Sequence, residues 1–214
     1  MIRIADLFLG TTPMTIGNRY SDRFMLWIDS VGGYWVCLGD EITLGQPDPR
    51  GTADVPILGD LSSRHAVIRR VGEDYLIEAL REVHVDEHKV QEIGRLRDGS
   101  RIQLGESVRL LIRRPNVLSR SARLDFVSRH HTQPTADAVL LMADTCILGP
   151  KPHSHVVCRE WKSEVILYRS GQELFCRAAG AFEIDGVVCK GRGRIARNSR
   201  VVGDGFSFNL ETVQ

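Results

Sequence analysis

Short segments rich in β-branched and aromatic residues fill this chain, and they limit the folds open to it. They include "FMLWIDS" (24–30), "YWVCLGD" (34–40), "HAVIRR" (65–70) and "SVRLLIRR" (107–114). Gly, Asp, Asn or Pro separates them at intervals typical of turns. No long stretch shows the periodicity of an amphipathic helix. The pattern therefore predicts an all-β protein, either a sandwich or a barrel.

The second half of the sequence repeats features of the first half in the same order. "MADTCILG" (142–149) aligns with "LGDEITLG" (38–45), "RLDFVS" (123–128) with "FMLWIDS", and "NSRVV" (198–202) with "GSRIQ" (99–103). The spacings differ only where loops are expected, and a duplicated fold tolerates insertions there. The sequence therefore predicts two units of the same fold.

The two predicted units meet in "RRPNVLSRSARLDF", where Pro115 ends a strand and a polar stretch suits a linker. We expect a first domain over residues 21–120 and a second, degenerate domain over residues 121–214. Residues 1–20 form an N-terminal extension in this interpretation and could supply an edge strand to the first domain. "RLDFV" could close the first sheet, open the second, or do both.

Composition narrows the functional classes. The formal net charge is +1, so no global field draws the chain to nucleic acid or anionic lipid. No stretch approaches the roughly 20 apolar residues of a membrane helix. "MIRIADLFLG" carries Asp6 in its apolar run, and the five cysteines lack C-x-x-C spacing. We therefore expect a cytoplasmic protein without cofactor, metal, nucleic acid or membrane partner; the oligomeric state stays open.

The stretch "ILGDLSSRHAVIRR" (57–70) places Ser62 three residues before His65. A nucleophilic serine needs a base, a group that orients the base, and an oxyanion hole. Ser62 lacks the G-x-S-x-G turn of a nucleophile elbow, and no Asp or Glu with a second His reads as a partner. We therefore predict that the chain is not an enzyme and has no catalytic residue.

The order "ITLG", variable loop, "LSSRHAVI", "DYLIEAL", "VDEHKV", "LRDGSRIQLG" resembles the forkhead-associated (FHA) domain over residues 23–114 and, more faintly, over 122–211. The positions that fall on the family pattern are Gly45, Ser62, His65, Ala66, Gly99 and Gly105. The resemblance implies two tandem FHA-like, SMAD/FHA-type β-sandwich domains. It also implies recognition of phosphothreonine peptides by loops at one end of the sandwich.

For domain one, the resemblance implies a phosphopeptide site on these loops. A phosphothreonine carries nearly two negative charges and three acceptor oxygens, so it needs hydroxyl, amide and guanidinium donors. The residues implied as phosphopeptide-binding are Gln46, Ser62, Ser63, Arg64 and Arg81, and those implied as bracing the loops are Gly45 and His65.

Several positions depart from the family pattern. Gln46 stands where the family has Arg, and Arg81-Glu82 and Asp86-Glu87 stand where Asn-Gly pairs are expected. Loss of the Arg removes the strongest phosphate contact, although Arg64, Arg81 or Arg50 could replace its charge. Two functions therefore stay open. Domain one binds a phosphoprotein in signalling or assembly, or the chain is a structural scaffold that contacts another protein after losing its phosphate pocket.

The second unit has drifted further from the pattern. Pro150 follows Gly149, Trp161 occupies the Ser position, and Ser163 or Glu164 stands at the His position. We therefore read domain two as a scaffold or a docking face. An exposed Trp161 would anchor an interface, whereas a buried one would belong to the core.

Two further motifs bear on binding. "HSHVVC" (153–158) offers two His and one Cys, but this is not a closed zinc-site spacing and a fourth ligand is lacking. "KGRGRIARNSR" (190–200) is basic and glycine-rich, without interleaved aromatics or a Walker pattern. We read the first as a polar loop leading into a strand and the second as a solvated turn.

Overall fold

The computed structural model describes residues 22–213, which form twenty β-strands and no helix. The predicted all-β class is therefore confirmed. Accordingly, none of these residues belongs to a helix long and apolar enough to cross a membrane. The predicted N-terminal extension, residues 1–20, lies outside the described residues.

The strands follow one another along the chain with short connections. The first eleven are β1 (Arg23–Ile28), β2 (Gly32–Cys37), β3 (Glu41–Gly45), β4 (Val55–Pro56), β5 (Ala66–Val71), β6 (Asp74–Ala79), β7 (Val83–Val85), β8 (His88–Lys89), β9 (Ile93–Leu96), β10 (Arg101–Leu104) and β11 (Val108–Arg113). The remaining nine are β12 (Ala122–Phe126), β13 (Ala138–Leu141), β14 (Thr145–Gly149), β15 (Val156–Val157), β16 (Val165–Ser170), β17 (Glu173–Ile184), β18 (Val187–Ile195), β19 (Arg200–Gly203) and β20 (Phe206–Thr212).

Two sheets contain all of these strands. The first has five strands in the order β4-β3-β5-β6-β9, and we call it the first outer sheet. The second follows the path β15-β14-β16-β17-β19-β20-β1-β2-β13-β12-β11-β10-β7-β8, with β18 beside β17. We call the part from β19 to β8 the central sheet, and β14, β15, β16 and the first half of β17 the second outer layer.

The long strand β17 connects the central sheet to the second outer layer. Its first half pairs with β16 and its second half pairs with β19. Between these halves its register against β18 shifts, from Arg177 to Ala181, and Gly180 there has a φ of 81°. Only glycine adopts that conformation without steric cost, so Gly180 permits the change of direction.

Each outer layer covers a separate hydrophobic core. In the first core, Ile68 and Ile77 of the first outer sheet pack with Leu110 of the central sheet. In the second core, Leu148 and Leu167 of the second outer layer pack with central-sheet residues such as those of β20. Each core thus lies between two layers of β-structure, which confirms the sandwich-like architecture.

Strands β1, β2 and β13 contribute to both cores. On β1 and β2, Met25 and Trp35 are buried in the first core, whereas Leu26 and Val36 are buried in the second. Strands buried on both faces read as continuous apolar runs, which explains "FMLWI", "YWVC" and "AVLL" in the sequence. β2 and β13 lie side by side in parallel at the middle of the central sheet.

Strand pairing crosses the predicted boundary at residue 120. The last strand before it, β11, pairs with β12, and β1 pairs with β20 near the other end of the chain. The first core accordingly includes Leu124 and Val139. The boundary itself stays a prediction, but residues on both sides of it build each core.

Matching hydrogen bonds occur in both halves of the chain. Asp86 accepts a bond from Ser100 Oγ at 2.9 Å and one from the next amide at 2.8 Å. Asp185 accepts a bond from Ser199 Oγ at 2.7 Å and one from the next amide at 2.8 Å. β3 pairs in parallel with β4, as β14 does with β15. The donors of these bonds lie in "GSRIQ" and "NSRVV", two stretches that the sequence alignment matches.

Candidate functional site

The loop that carries Ser62 lies directly against the end of β3. The Gln46 amide donates a hydrogen bond to the Ser62 carbonyl at 3.1 Å. A Cβ atom on Gly45 would lie 2.6 Å from the same oxygen and closer still to the Ser63 carbonyl. Only a residue without a side chain allows this approach, so Gly45 sets the distance between β3 and the loop.

His65 ties this loop to the loop after β6. The residue is only 5% exposed. Its Nε2 lies 2.9 Å from the Glu82 carbonyl, and its carbonyl accepts a bond from the Arg81 amide at 2.9 Å. Its Nδ1 lies 3.4 Å from the Ser62 amide nitrogen. One buried imidazole therefore positions Ser62 and Arg81 relative to each other.

A third loop, between β10 and β11, joins the same junction. The Gly105 amide donates to the Glu82 carbonyl at 3.0 Å, and Gly105 has a φ of 56°. The Glu82 carbonyl thus accepts hydrogen bonds from both the His65 ring and the Gly105 amide. Sequence reasoning did not identify this backbone acceptor, because a carbonyl leaves no residue-type signal.

The structure brings the predicted binding residues together at this end of the first outer sheet. Gln46, Arg64 and Arg81 are exposed, and Ser62 and Ser63 are half-buried. Arg81 Nη1 donates to the neighbouring Leu80 carbonyl, at 2.8 Å. Within residues 22–213 the side chains of Gln46, Ser62, Ser63 and Arg64 form no hydrogen bond. These donors are therefore available to a ligand.

This end of the first outer sheet, which we call the rim, also carries acidic groups. Asp48 accepts hydrogen bonds from Thr52 Oγ1 at 2.6 Å and from the Arg50 amide at 2.8 Å. These bonds, the Thr52 hydroxyl first, lower the pKa of the Asp48 carboxyl, which keeps it charged. Glu82 is exposed beside Arg81. The rim is thus of mixed charge rather than uniformly cationic.

A serine nucleophile does not fit this geometry. Both ring nitrogens of His65 face backbone groups, Nδ1 the Ser62 amide and Nε2 the Glu82 carbonyl. A base must present a free nitrogen to the hydroxyl proton that it accepts. In this structure neither nitrogen of His65 is available to Ser62 Oγ.

The corresponding end of the second half lacks this arrangement. The strand register places Trp161 and Glu164 where the first half has Ser62 and His65. Trp161 is buried, at 7% exposure, and packs on Phe206 with ring centroids 5.4 Å apart. Glu164 lies 3.2 Å from His153. The core position of Trp161, one of its two predicted alternatives, is therefore the one observed.

The cysteines are free thiols in mostly buried positions. All five cysteines are free, and four of them are buried. Burial raises the pKa of Cys146, Cys158 and Cys176 to about 12 and also raises that of Cys37. A thiolate nucleophile or metal ligand is therefore disfavoured at these positions. In residues 22–213 no group of three or more His, Cys, Asp or Glu side chains could hold a metal ion.

His155 is buried immediately before β15, with 1% of its surface exposed. Its Nδ1 accepts a hydrogen bond from the Ile147 amide at 3.0 Å, and its Nε2 has no partner among the described residues. Burial lowers the pKa of this imidazole to about 4. The ring is therefore neutral in the folded chain at neutral pH.

We expect the free energy of unfolding to decrease as the pH falls from about 6.5 towards 4, because the unfolded chain takes up this proton first. The decrease attributable to His155 is roughly 3 kcal/mol. Urea unfolding at several pH values measures it. The control is the His155→Asn variant, which lacks the titrating imidazole. Its side-chain oxygen can accept the hydrogen bond from the Ile147 amide, just as the Asp54 carboxylate accepts one from the Thr43 amide at 2.8 Å. An equal pH dependence in both chains would contradict this assignment.

Comparisons with known proteins give one family. Residues 39–105, from just before β3 to just after β10, match the model of the FHA domain, which is generally a phosphothreonine-binding protein-interaction module. A solved structure titled "Rv0020c_FHA Structure" is 26% identical over 39% of this chain and 84% of that chain, with a TM-score of 0.28. No curated protein matches the chain.

Proposed function

We propose, from the match of residues 39–105 to the FHA domain, that the loops around Ser62 bind phosphothreonine peptides. The observation that carries this proposal is the junction at His65. It holds the backbone of Ser62 and Arg81 in fixed relation, while their side chains form no bond to another side chain of residues 22–213. Such pre-positioned donors lower the ordering cost of binding a phosphate.

Each donor has a distinct role in the proposed complex. Ser62 Oγ donates to a phosphate oxygen, with Ser63 beside it. Arg64 and Arg81 supply charge from two directions, and the side-chain amide of Gln46 adds a neutral donor. A phosphate dianion is bound most strongly by charge-assisted bonds. The two arginines therefore replace, in part, the charge that Gln46 does not carry.

The alternative is a scaffold that contacts its partner without reading phosphate. The acidic groups Asp48 and Glu82 at the rim favour it, since like charges repel a phosphate. Both functions describe a non-catalytic interaction module for a phosphorylated or other protein partner. We place that module in the cytoplasm, in signalling or assembly.

We also infer that residues 121–214 descend from the same fold as residues 21–120. The matching Asp86 and Asp185 bonds and the parallel β3–β4 and β14–β15 pairs support this inference. With Trp161 buried in place of Ser62, the second copy acts through another surface or as a scaffold.

Titration of the whole chain with a degenerate phosphothreonine peptide library and its threonine counterpart tests phosphate recognition. We expect Gln46→Arg to tighten binding of the phosphorylated library by about tenfold, the effect of one charge-assisted bond. Gln172→Arg, at an exposed position in the β16–β17 turn, is the matched control and leaves the affinity unchanged. Equal affinity of both libraries for the natural chain and for the Gln46→Arg variant would establish the scaffold instead.

A further inference from the structure

A groove of about 780 Å³ lies on the second outer layer and the neighbouring strand β18, and its lining includes no residue of the Ser62 loops. Its lining includes four basic residues and one acidic residue, namely Arg169, Arg177, Lys190, Arg192 and Asp144. Asp144 is neutralised by Arg120, 2.5 Å away. The groove therefore presents a net positive surface on a chain whose net charge is only +1.

Three cations of the groove, Arg177, Arg192 and Lys190, form no ion pair with any described residue. Arg177 and Arg192 lie directly opposite each other in the β17–β18 register, and both are exposed. Within residues 22–213 no carboxylate pairs with them or with Lys190. Like charges directly opposite each other on neighbouring strands are destabilising. An anion placed between these side chains would relieve that repulsion.

The first outer sheet shows that the fold does not require this charge. There Arg69 bonds Glu78 at 2.8 Å and also pairs with Glu41, so the surface is balanced. In the second outer layer the strand register places Tyr168 at the position of Arg69. It places Thr145 at the position of Glu41 and Arg177 at that of Glu78. The ion-pair network of one half is thus replaced by two uncharged residues and Arg177 in the other.

The floor of the groove is apolar. Ile166 and Tyr168 on β16 line it, and both are half-buried. Tyr168 stacks on Phe175, with ring centroids 5.3 Å apart and an interplanar angle of 18°. The stacked rings use one face on each other, which leaves less ring surface for nucleic-acid bases. An apolar floor with separated cations at its edge suits a peptide with acidic and apolar side chains.

We propose that this groove binds an acidic, unphosphorylated segment of a partner protein. Carboxylates of the segment lie against Arg177, Arg192 and Lys190, and an apolar side chain packs on Ile166 and Tyr168. The cations are spread over β17 and β18, which fits several single charges better than one compact dianion. This site shares no residue with the loops around Ser62, so the two proposed surfaces can be tested separately.

The test uses the whole chain and a fluorescein-labelled peptide in which every second residue is Glu and the residues between are Ser or Leu. We expect its affinity to fall at least tenfold when Glu is replaced by Gln, about the effect of losing one charge-assisted bond, and to weaken with added salt. Amide chemical shifts should change at β16, β17 and β18 and not at Gln46 or Ser62.

The variant is Arg177→Gln with Arg192→Gln, for which we expect a loss of about tenfold or more. Arg194→Gln is the matched control on the same strand, because Arg194 already pairs with Glu173 at 2.6 Å, and it leaves the affinity unchanged. Arg177→Glu should abolish peptide binding without lowering the melting temperature, since it creates an opposite-charge pair with Arg192.

Several results would each overturn the proposal. They are equal binding of the Glu and Gln peptides, no binding of the Glu peptide at about 1 mM, and tighter binding of single-stranded oligothymidylate than of the Glu peptide. A double variant that binds as well as the natural chain would also overturn it. A lower melting temperature of Arg177→Glu would show that Arg177 supports the fold instead.

Discussion

A fragment ending at residue 120 should fail to fold, although the sequence indicates a domain boundary there. We expect residues 22–120 alone to show no cooperative thermal transition and to self-associate. The fragment lacks β12 and β13, so β11 and β2 each lose a neighbouring strand. The first core loses Leu124, Val139 and Leu141. Circular dichroism, a melting curve and size-exclusion chromatography measure the outcome.

The expected effect is large because the fragment also exposes the other face of its own strands. The side chains on that face are Phe24, Leu26, Ile28, Tyr34 and Val36. Each fully buried apolar side chain contributes roughly 1.5–3 kcal/mol. Together they amount to about 10 kcal/mol, which is comparable with the whole stability of a typical domain.

Cleavage in the loop between β11 and β12 is the control. Val117 and Leu118 there are 90% and 95% exposed, so a protease site inserted between them disturbs no packing. We expect the cleaved chain to keep its strand content and its two halves to co-elute, because β11 still pairs with β12 and β1 with β20. A sharp melting transition in the 22–120 fragment would contradict the prediction.

The strands and turns of the first half could be predicted because their signals are local. "ITLG" became β3, and the Ser62–His65 stretch became the loop before β5. Asp86 and Glu87 occupy a predicted turn position and adopt φ values of 50° and 70°. Such a turn twists in the sense that neighbouring strands require, which is why the family pattern has Asn-Gly at this position.

The pairing of distant strands could not be predicted from the same signals. A continuous apolar run such as "FMLWI" indicates burial on both faces but does not identify the neighbouring strands. The pairing of β1 with β20 joins opposite ends of the described chain. The cationic groove could not be predicted from the sequence for the same reason. The placement of Arg177 opposite Arg192 depends on the register of β17 and β18.

Gly45→Ala should be the most damaging single substitution near the candidate site. The added methyl would lie 2.6 Å from the Ser62 carbonyl and nearer still to that of Ser63, and both obstacles are backbone atoms. Backbone cannot rotate out of the way as a side chain can, so either β3 or the loop must move. We expect a loss of about 3 kcal/mol in the free energy of unfolding and loss of phosphopeptide binding.

Gly149→Ala provides the matched comparison in the second half. There the nearest atom is Glu164 Cγ at 2.9 Å, with Glu164 Cα at 3.1 Å, so a partly mobile side chain can give way. We expect this variant to lose about 1 kcal/mol and to keep its phosphopeptide affinity. Equal losses in the two variants would show that the close approach at Gly45 does not hold the Ser62 loop. Lost stability in Gly45→Ala with unchanged binding would show instead that the ligand is read by residues outside that loop.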